Sequence, residues 1–161
     1  MGPKGKGMDR ETIEHALKSI EPHLYRREKV DRLAVEVPVE RLWGLMRRLR
    51  EDERLAFDML LDHTAIDRPK EERFELVYNL YSTKHGHALM VMCSVSRTNP
   101  VAPTMERIWQ AAHWQEREVF DLFGVLYDEH TDLRRLFLEE NWKGYPLRKD
   151  YKDDDMLEFD E

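Results

Sequence analysis

Phe74, Leu76, Tyr78 and Leu80 recur at every second position, and after a polar stretch over residues 82–87 a second run, residues 88–95, is apolar at almost every position. A repeat of two belongs to the β-strand, whose side chains point alternately to its two faces. Gly86 in the short polar link suits a hairpin turn. In the second run Met90, Met92 and Ser94 share one face while Val91, Cys93 and Val95 share the other, so both faces need cover. Such a pair commits the chain to a sheet with helices packed on it.

Two upstream stretches can supply the cover. Asp9 can cap a helix that carries Ile13, Ala16, Leu17 and Ile20 on one side and ends before Pro22. Val39, Leu42, Leu45, Met46 and Leu49 form the stripe of a second helix. Between them Leu33, Val35 and Val37 alternate with Ala34 and Glu36 as far as Pro38, which predicts a half-buried strand. Phe57, Met59 and Leu61 alternate with Asp58, Leu60 and Asp62 in another strand running to about Ile66, before the turn residues Asp67, Arg68 and Pro69. The expected fold is α+β: an open sheet of about four mostly antiparallel strands backed by two N-terminal helices, then an interface helix and an extended C-terminal arm. Residues 1–8 read as a flexible N-terminus, 9–124 as a single α+β domain, 125–152 as the docking arm and 153–161 as an acidic disordered tail.

Asn99, Pro100 and Pro103 precede a helix expected over residues 105–123, stopped by Gly124 in a left-handed cap. Ile108, Ala111, Ala112, Val119, Leu122 and Phe123 fall in one arc, the ordinary core face. Opposite them lie Trp114, Arg117 and Asp121, with Glu118 on the flank. Tryptophan and arginine are enriched at binding hot spots. Two readings stand: an interface helix covered by a partner, or a solvated helix with one stray tryptophan. An exposed Arg117–Asp121 pair, four residues apart, contributes only about 0.3 to 0.5 kcal/mol; under a partner each charge needs a counterpart. Past Gly124 the periodicity fades, and residues 127–151 read as an extended chain that orders fully only against a partner and is open to proteases in the free protein.

Charge and composition exclude several functions. A net charge of -7 over 161 residues, with basic residues locally matched by acids, argues against nucleic-acid binding. The longest charge-free apolar stretch, residues 88–95, falls far short of the ~20 residues of a membrane-spanning helix, so membrane contact must pass through a partner. Cys93, the single cysteine, allows neither an internal disulfide nor a cysteine-ligated iron–sulfur cluster. No phosphate-cradling glycine pattern occurs. His85 and His87 can point the same way on a strand but lack a third metal ligand, and Asp62, His63 and Asp67 lack a positioned nucleophile. Glu116 and Glu118 diverge by about 200° on a helix and make a poor acid–base pair. No catalytic, cofactor-binding or metal-binding residue is expected in this chain. A free-standing metal-dependent hydrolase, resting on His63, His85, His87 and nearby acids, is the catalytic alternative.

The run Glu116-Arg117-Glu118-Val119-Phe120-Asp121-Leu122-Phe123-Gly124-Val125, then His130 and Asp132-Leu133-Arg134-Arg135-Leu136, then Trp142-Lys143-Gly144-Tyr145-Pro146-Leu147-Arg148-Lys149-Asp150-Tyr151, closely resembles the signature of the complex I 30 kDa subunit family. Ile108-Trp109, Ala112-His113-Trp114 and the strand pair over residues 74–95 extend the resemblance to roughly residues 33–151. Thr131 stands where the family usually has proline, and Lys152 where proline often follows the final aromatic. The resemblance implies a subunit without its own redox centre, in the peripheral arm of an NADH:quinone oxidoreductase on the cytoplasmic side of the inner membrane. It would be packed on the quinone-site 49 kDa-type subunit and its iron–sulfur neighbours; those neighbours and a flavoprotein holding FMN carry the cofactors. Its interface would comprise Trp114, Glu116, Arg117, Glu118, Asp121, His130, Arg134, Arg135, Arg148, Lys149 and Asp150. The same resemblance admits the matching subunit of an energy-converting hydrogenase or another relative of complex I.

Overall fold

A computed structural model describes residues 8–28 and 30–153. The segments read as a flexible start and an acidic tail, apart from Met8 and Asp153, lie outside the described residues. Helix α1 (Arg10–Ile20) begins at Asp9, whose carboxylate accepts the Thr12 N–H and hydroxyl, both at 2.9 Å. It buries the expected stripe of Ile13, Ala16, Leu17 and Ile20. Helix α2 (Val39–Glu51) likewise buries Leu42, Leu45, Met46 and Leu49, and its Arg48 donates to the Ile20 carbonyl, tying the two helices together.

Strands β1 (Tyr25–Arg26), β2 (Ala34–Glu36), β3 (Met59–Arg68), β4 (Arg73–Ser82) and β5 (His87–Ser96) form one sheet in the order β1-β2-β5-β4-β3. The expected hairpin of β4 and β5 forms, with Tyr78 facing Val91 and Leu76 facing Cys93. Phe74, Leu76, Tyr78 and Leu80 are fully buried, each such side chain contributing about 1.5 to 3 kcal/mol. The sheet has five strands where about four were expected, because the two-residue, exposed β1 carries no periodic signal. Three of its four pairings are antiparallel, but β2 lies parallel to β5 with Ala34 opposite Met90. Leu33, Ala34, Val35 and Val37 are all buried, so β2 is covered on both faces and not half-buried.

In β3 the apolar alternation misleads. A bulge between Leu60 and Asp62 shifts the register, so that Leu60 points inward while Met59 and Leu61 are exposed. Beyond the bulge His63, Ala65 and Asp67 take the inward positions.

Helix α3 (Ala112–Phe123) is shorter than expected. Residues 105–111 form successive turns in which Trp109 is buried and its indole N–H donates to the Phe57 carbonyl at 3.1 Å. That anchor holds the segment out of helical register. Preceding it, β6 (Val101–Pro103) pairs parallel with β7 (Leu126–Asp128). Val125 and Tyr127 therefore belong to the core, and the chain leaves the domain body only after residue 128. Phe123 meets Phe74 edge-on at 6.2 Å, which places α3 on the same face of the sheet as the buried residues of β4.

Candidate functional site

Asp121 sits on α3 where a solvated or partner-covered charge was expected. Its Oδ2 accepts the N–H groups of Leu136, Phe137 and Leu138 at 3.0, 2.7 and 3.1 Å, and its Oδ1 accepts Arg135 Nη1 at 2.9 Å. Three successive N–H groups wrapped around one carboxylate form an anion-holding concavity, filled here by the chain's own side chain. Burial pushes the Asp121 carboxyl up, yet these donors outweigh it and hold the group below the usual carboxylate range. Arg117, one turn earlier, donates Nε to the Arg134 carbonyl and Nη2 to the Arg135 carbonyl, both at 3.1 Å. Neither charge pairs with the other as expected from their spacing; both hold residues 134–138.

Further along α3 towards its start, Glu116 is fully buried and accepts the Thr104 hydroxyl and the Met105 N–H, each at 2.6 Å. Burial pushes its carboxyl up to about 7, against those two bonds. Glu118 points away into solvent, as the helical spacing requires. Glu106 ties the arm on. Its Oε1 accepts the Thr131 N–H at 3.0 Å and its Oε2 the Thr131 hydroxyl at 3.3 Å. A proline at position 131 has neither donor, so the threonine that departs from the family pattern makes this tie. The same Oε2 lies 3.0 Å from His113 Nδ1 and 3.5 Å from His130 Nε2. His130 Nδ1 accepts the Asp132 N–H at 3.0 Å, which puts the ring proton on Nε2, donating to the His113 carbonyl at 3.0 Å. Glu106, His113 and His130 bring three possible metal-ligating atoms within 4.8 Å of one another.

The far end of the arm is fastened as well. Arg148 donates to the Phe123 carbonyl at 2.6 Å and its guanidinium lies over Phe74 and Tyr145, 5.1 and 4.7 Å from the ring centres. The Lys149 N–H donates to Asp67 at 2.8 Å, and Arg97 bridges Asp67 and Asp150 at 2.8 and 2.6 Å. Arg134 is exposed and pairs with Asp132 at 2.9 Å. The arm expected to order only on a partner is thus held along its length by the chain's own domain.

With those polar groups engaged internally, the exposed large apolar side chains of α3 and the arm are Trp114 (56%), Phe137 (65%), Trp142 (38%) and Leu147 (51%). Two of them adjoin the anchoring arginines: the Arg117 guanidinium lies 5.0 Å from the Trp114 ring, and Arg135 donates to the Trp142 carbonyl at 3.1 Å. Of these, Phe137, Trp142 and Leu147 escaped the sequence reading, their only signal being bulky apolar residues isolated in a polar stretch. The histidines of the hydrolase reading do not converge. His63 accepts from the Tyr127 hydroxyl at 2.5 Å and donates to the Val77 carbonyl at 2.9 Å. His85 and His87 bond the Glu53 and Leu55 carbonyls, both at 2.8 Å.

Residues 35–156 match the family described as respiratory-chain NADH dehydrogenase, 30 Kd subunit. The C-type subunit of the NADH-quinone oxidoreductase of Moorella thermoacetica is 40% identical over 136 residues, which are 84% of this chain and 90% of that protein. A C-type subunit of the NADH-quinone oxidoreductase of Rhizobium meliloti is 39% identical over 119 residues, 73% of this chain and 65% of that protein. The chain spans from 43% to 90% of the length of such relatives. Among solved structures, a chain of the membrane-bound sulfane sulfur reductase, an archaeal respiratory membrane complex, is similar with a TM-score of 0.77 at 28% identity, over 88% of this chain and 85% of that one. The trypsin-resistant fragment (1-134) of Nqo5 is similar with a TM-score of 0.66, also at 28% identity, over 76% of this chain and 98% of that one.

Proposed function

Because the chain belongs to the 30 kDa subunit family of respiratory-chain NADH dehydrogenase, we propose that it is a non-catalytic docking subunit, without a redox cofactor of its own, in the peripheral arm of a complex I-type NADH:quinone oxidoreductase. In this reading it packs on the quinone-site 49 kDa-type subunit beside the iron–sulfur subunits, at the cytoplasmic face of the membrane. No helix among the described residues is long and apolar enough to cross a bilayer, which agrees with attachment through partners. Cys93 is buried in β5 with its thiol pushed up to about 12 by burial, unfit as a redox thiol.

One observation carries the docking surface. Arg117 and Asp121 of α3 are turned onto the arm, and bulky apolar groups, Trp114, Phe137, Trp142 and Leu147, are left exposed on a backbone already fixed. A fixed surface loses little entropy when it is covered. Of the interface residues that the family resemblance indicates, Trp114, Glu118, Arg134 and Lys149 are exposed and can meet a partner directly; Glu116, Arg117, Asp121 and His130 act by shaping the surface. Replacing both Trp114 and Trp142 by Ala should leave the circular dichroism unchanged and cut co-purification with the 49 kDa-type subunit at least fivefold. Full recovery of the pair from cells expressing that variant would sink the assignment.

The similarity to a chain of a sulfane sulfur reductase supports a second reading, the corresponding subunit of a complex I-related oxidoreductase with another electron donor. The docking surface serves either assembly. Mass spectrometry of the purified native particle decides, by the presence or absence of an NADH-binding flavoprotein.

A further inference from the structure

The geometry assigns a binding site for a zinc-class divalent ion to Glu106, His113 and His130, at the joint where the arm leaves the domain. Zinc takes imidazole nitrogens at about 2.0–2.1 Å and carboxylate oxygens at about 2.0–2.2 Å in a tetrahedron, so its ligand atoms lie roughly 3.3 Å apart. Glu106 Oε2 is 3.0 Å from His113 Nδ1 and 3.5 Å from His130 Nε2, both close to that spacing, and the two ring nitrogens lie within 4.8 Å of one another. The ligands come from three different elements already fixed by other bonds: the turn before α3, α3 itself, and the start of the arm. Glu106 is anchored by Thr131, His113 rides on the helix, and the His130 side chain is fully enclosed. Ligands held in this way need little rearrangement. A groove lined by Arg107, Gln110, Trp114 and Thr131 opens onto Glu106 and His113, giving the ion a path in and leaving its fourth position to water.

Binding has a structural consequence written in the hydrogen bonds. The His130 proton now resides on Nε2, because Nδ1 accepts the Asp132 N–H. An ion at Nε2 takes that lone pair and the proton moves to Nδ1. His113 makes the same exchange, its proton passing from Nδ1 to Nε2, so no proton is released overall. The Asp132 N–H then faces a donor and loses its bond. Metal binding therefore costs the Asp132 N–H its acceptor, and the ion loosens the chain at residue 132. This inference does not depend on the docking surface described above.

The test uses the full chain and zinc chloride. Competition with a chromophoric chelator should show one ion bound per chain. Nitrogen-15 spectra of the histidine rings should show the His130 proton moving from Nε2 to Nδ1, and the Asp132 amide should exchange faster at saturation. His113→Gln, a change at a partly exposed position, should weaken binding at least tenfold with circular dichroism unchanged. His85→Gln, which removes one ring of the stacked pair with His87, should leave it unaffected. Loss of binding with His85→Gln instead of His113→Gln, less than one ion per chain at saturation, or ring spectra that do not respond would each overturn the assignment. Should His113→Gln fail to fold, the wild-type ring spectra decide alone.

Discussion

His63 illustrates what a titratable side chain does beneath the sheet. It lies flat on Tyr78, ring centres 4.0 Å apart, with both nitrogens bonded, and burial pushes its imidazole down to about 4. The unfolded chain protonates this ring near pH 6.5, while the folded chain resists protonation down to about 4. The group's contribution is therefore present in full above about pH 6.5 and is lost as pH falls towards 4, amounting to roughly 3 kcal/mol. Glu116 acts in the opposite sense: its carboxyl, raised to about 7 from 4.5, makes the fold less stable as pH rises through that interval. The His63 effect is isolated by comparing urea unfolding of the wild type and His63→Gln, in which Glu116 is common. Their difference should change by roughly 3 kcal/mol between pH 7 and pH 4; a constant difference would remove the buried neutral imidazole from the account.

At the scale of elements, Gly124 joins helix to arm. It closes α3 in the left-handed region at φ 77°, and a Cβ there would stand 2.6 Å from the Tyr145 ring. Gly124→Ala should cost roughly 1 to 3 kcal/mol from backbone strain alone, measured by urea unfolding, and a neutral result would mean that the helix end does not need the left-handed conformation. The glycine was readable as a helix stop, as were the stripes of α1 and α2 and the hairpin of β4 and β5, because each obeys one local period. What escaped the sequence depends on distant partners. β1 and β7 are too short to show a repeat, the bulge at Leu61 reverses an alternation that looked regular, and Trp109 unwinds the predicted first turns of α3 by anchoring on Phe57. The site was legible in the same partial way. Arg117 and Asp121 stood out as charges that needed cover, but the groups that cover them are mostly backbone N–H and C=O of residues 134–138, which no side-chain pattern announces.

For the molecule as a whole, the fastening of the arm turns a segment expected to be open to proteases into part of the folded body. Trypsin acting on the free wild-type chain should cut slowly at Arg134, Arg135 and Lys143. Asp121→Asn keeps the size of the side chain but sets an amide against donors on every side, at a cost of roughly 1 to 3 kcal/mol. Digestion of that variant should begin within residues 134–143, with the domain resistant; equally slow digestion of both would show that the arm does not depend on this carboxylate. The parallel seam of β2 and β5 bears on how the chain matures. Residues near 34 must wait for residues near 90 before the middle of the sheet exists, so a ribosome has to deliver the whole β4–β5 hairpin before the earlier strand finds a neighbour. Until then α1, β2 and α2 have an apolar side and nothing to lay it on, and the growing chain is at its most adhesive during that interval of synthesis.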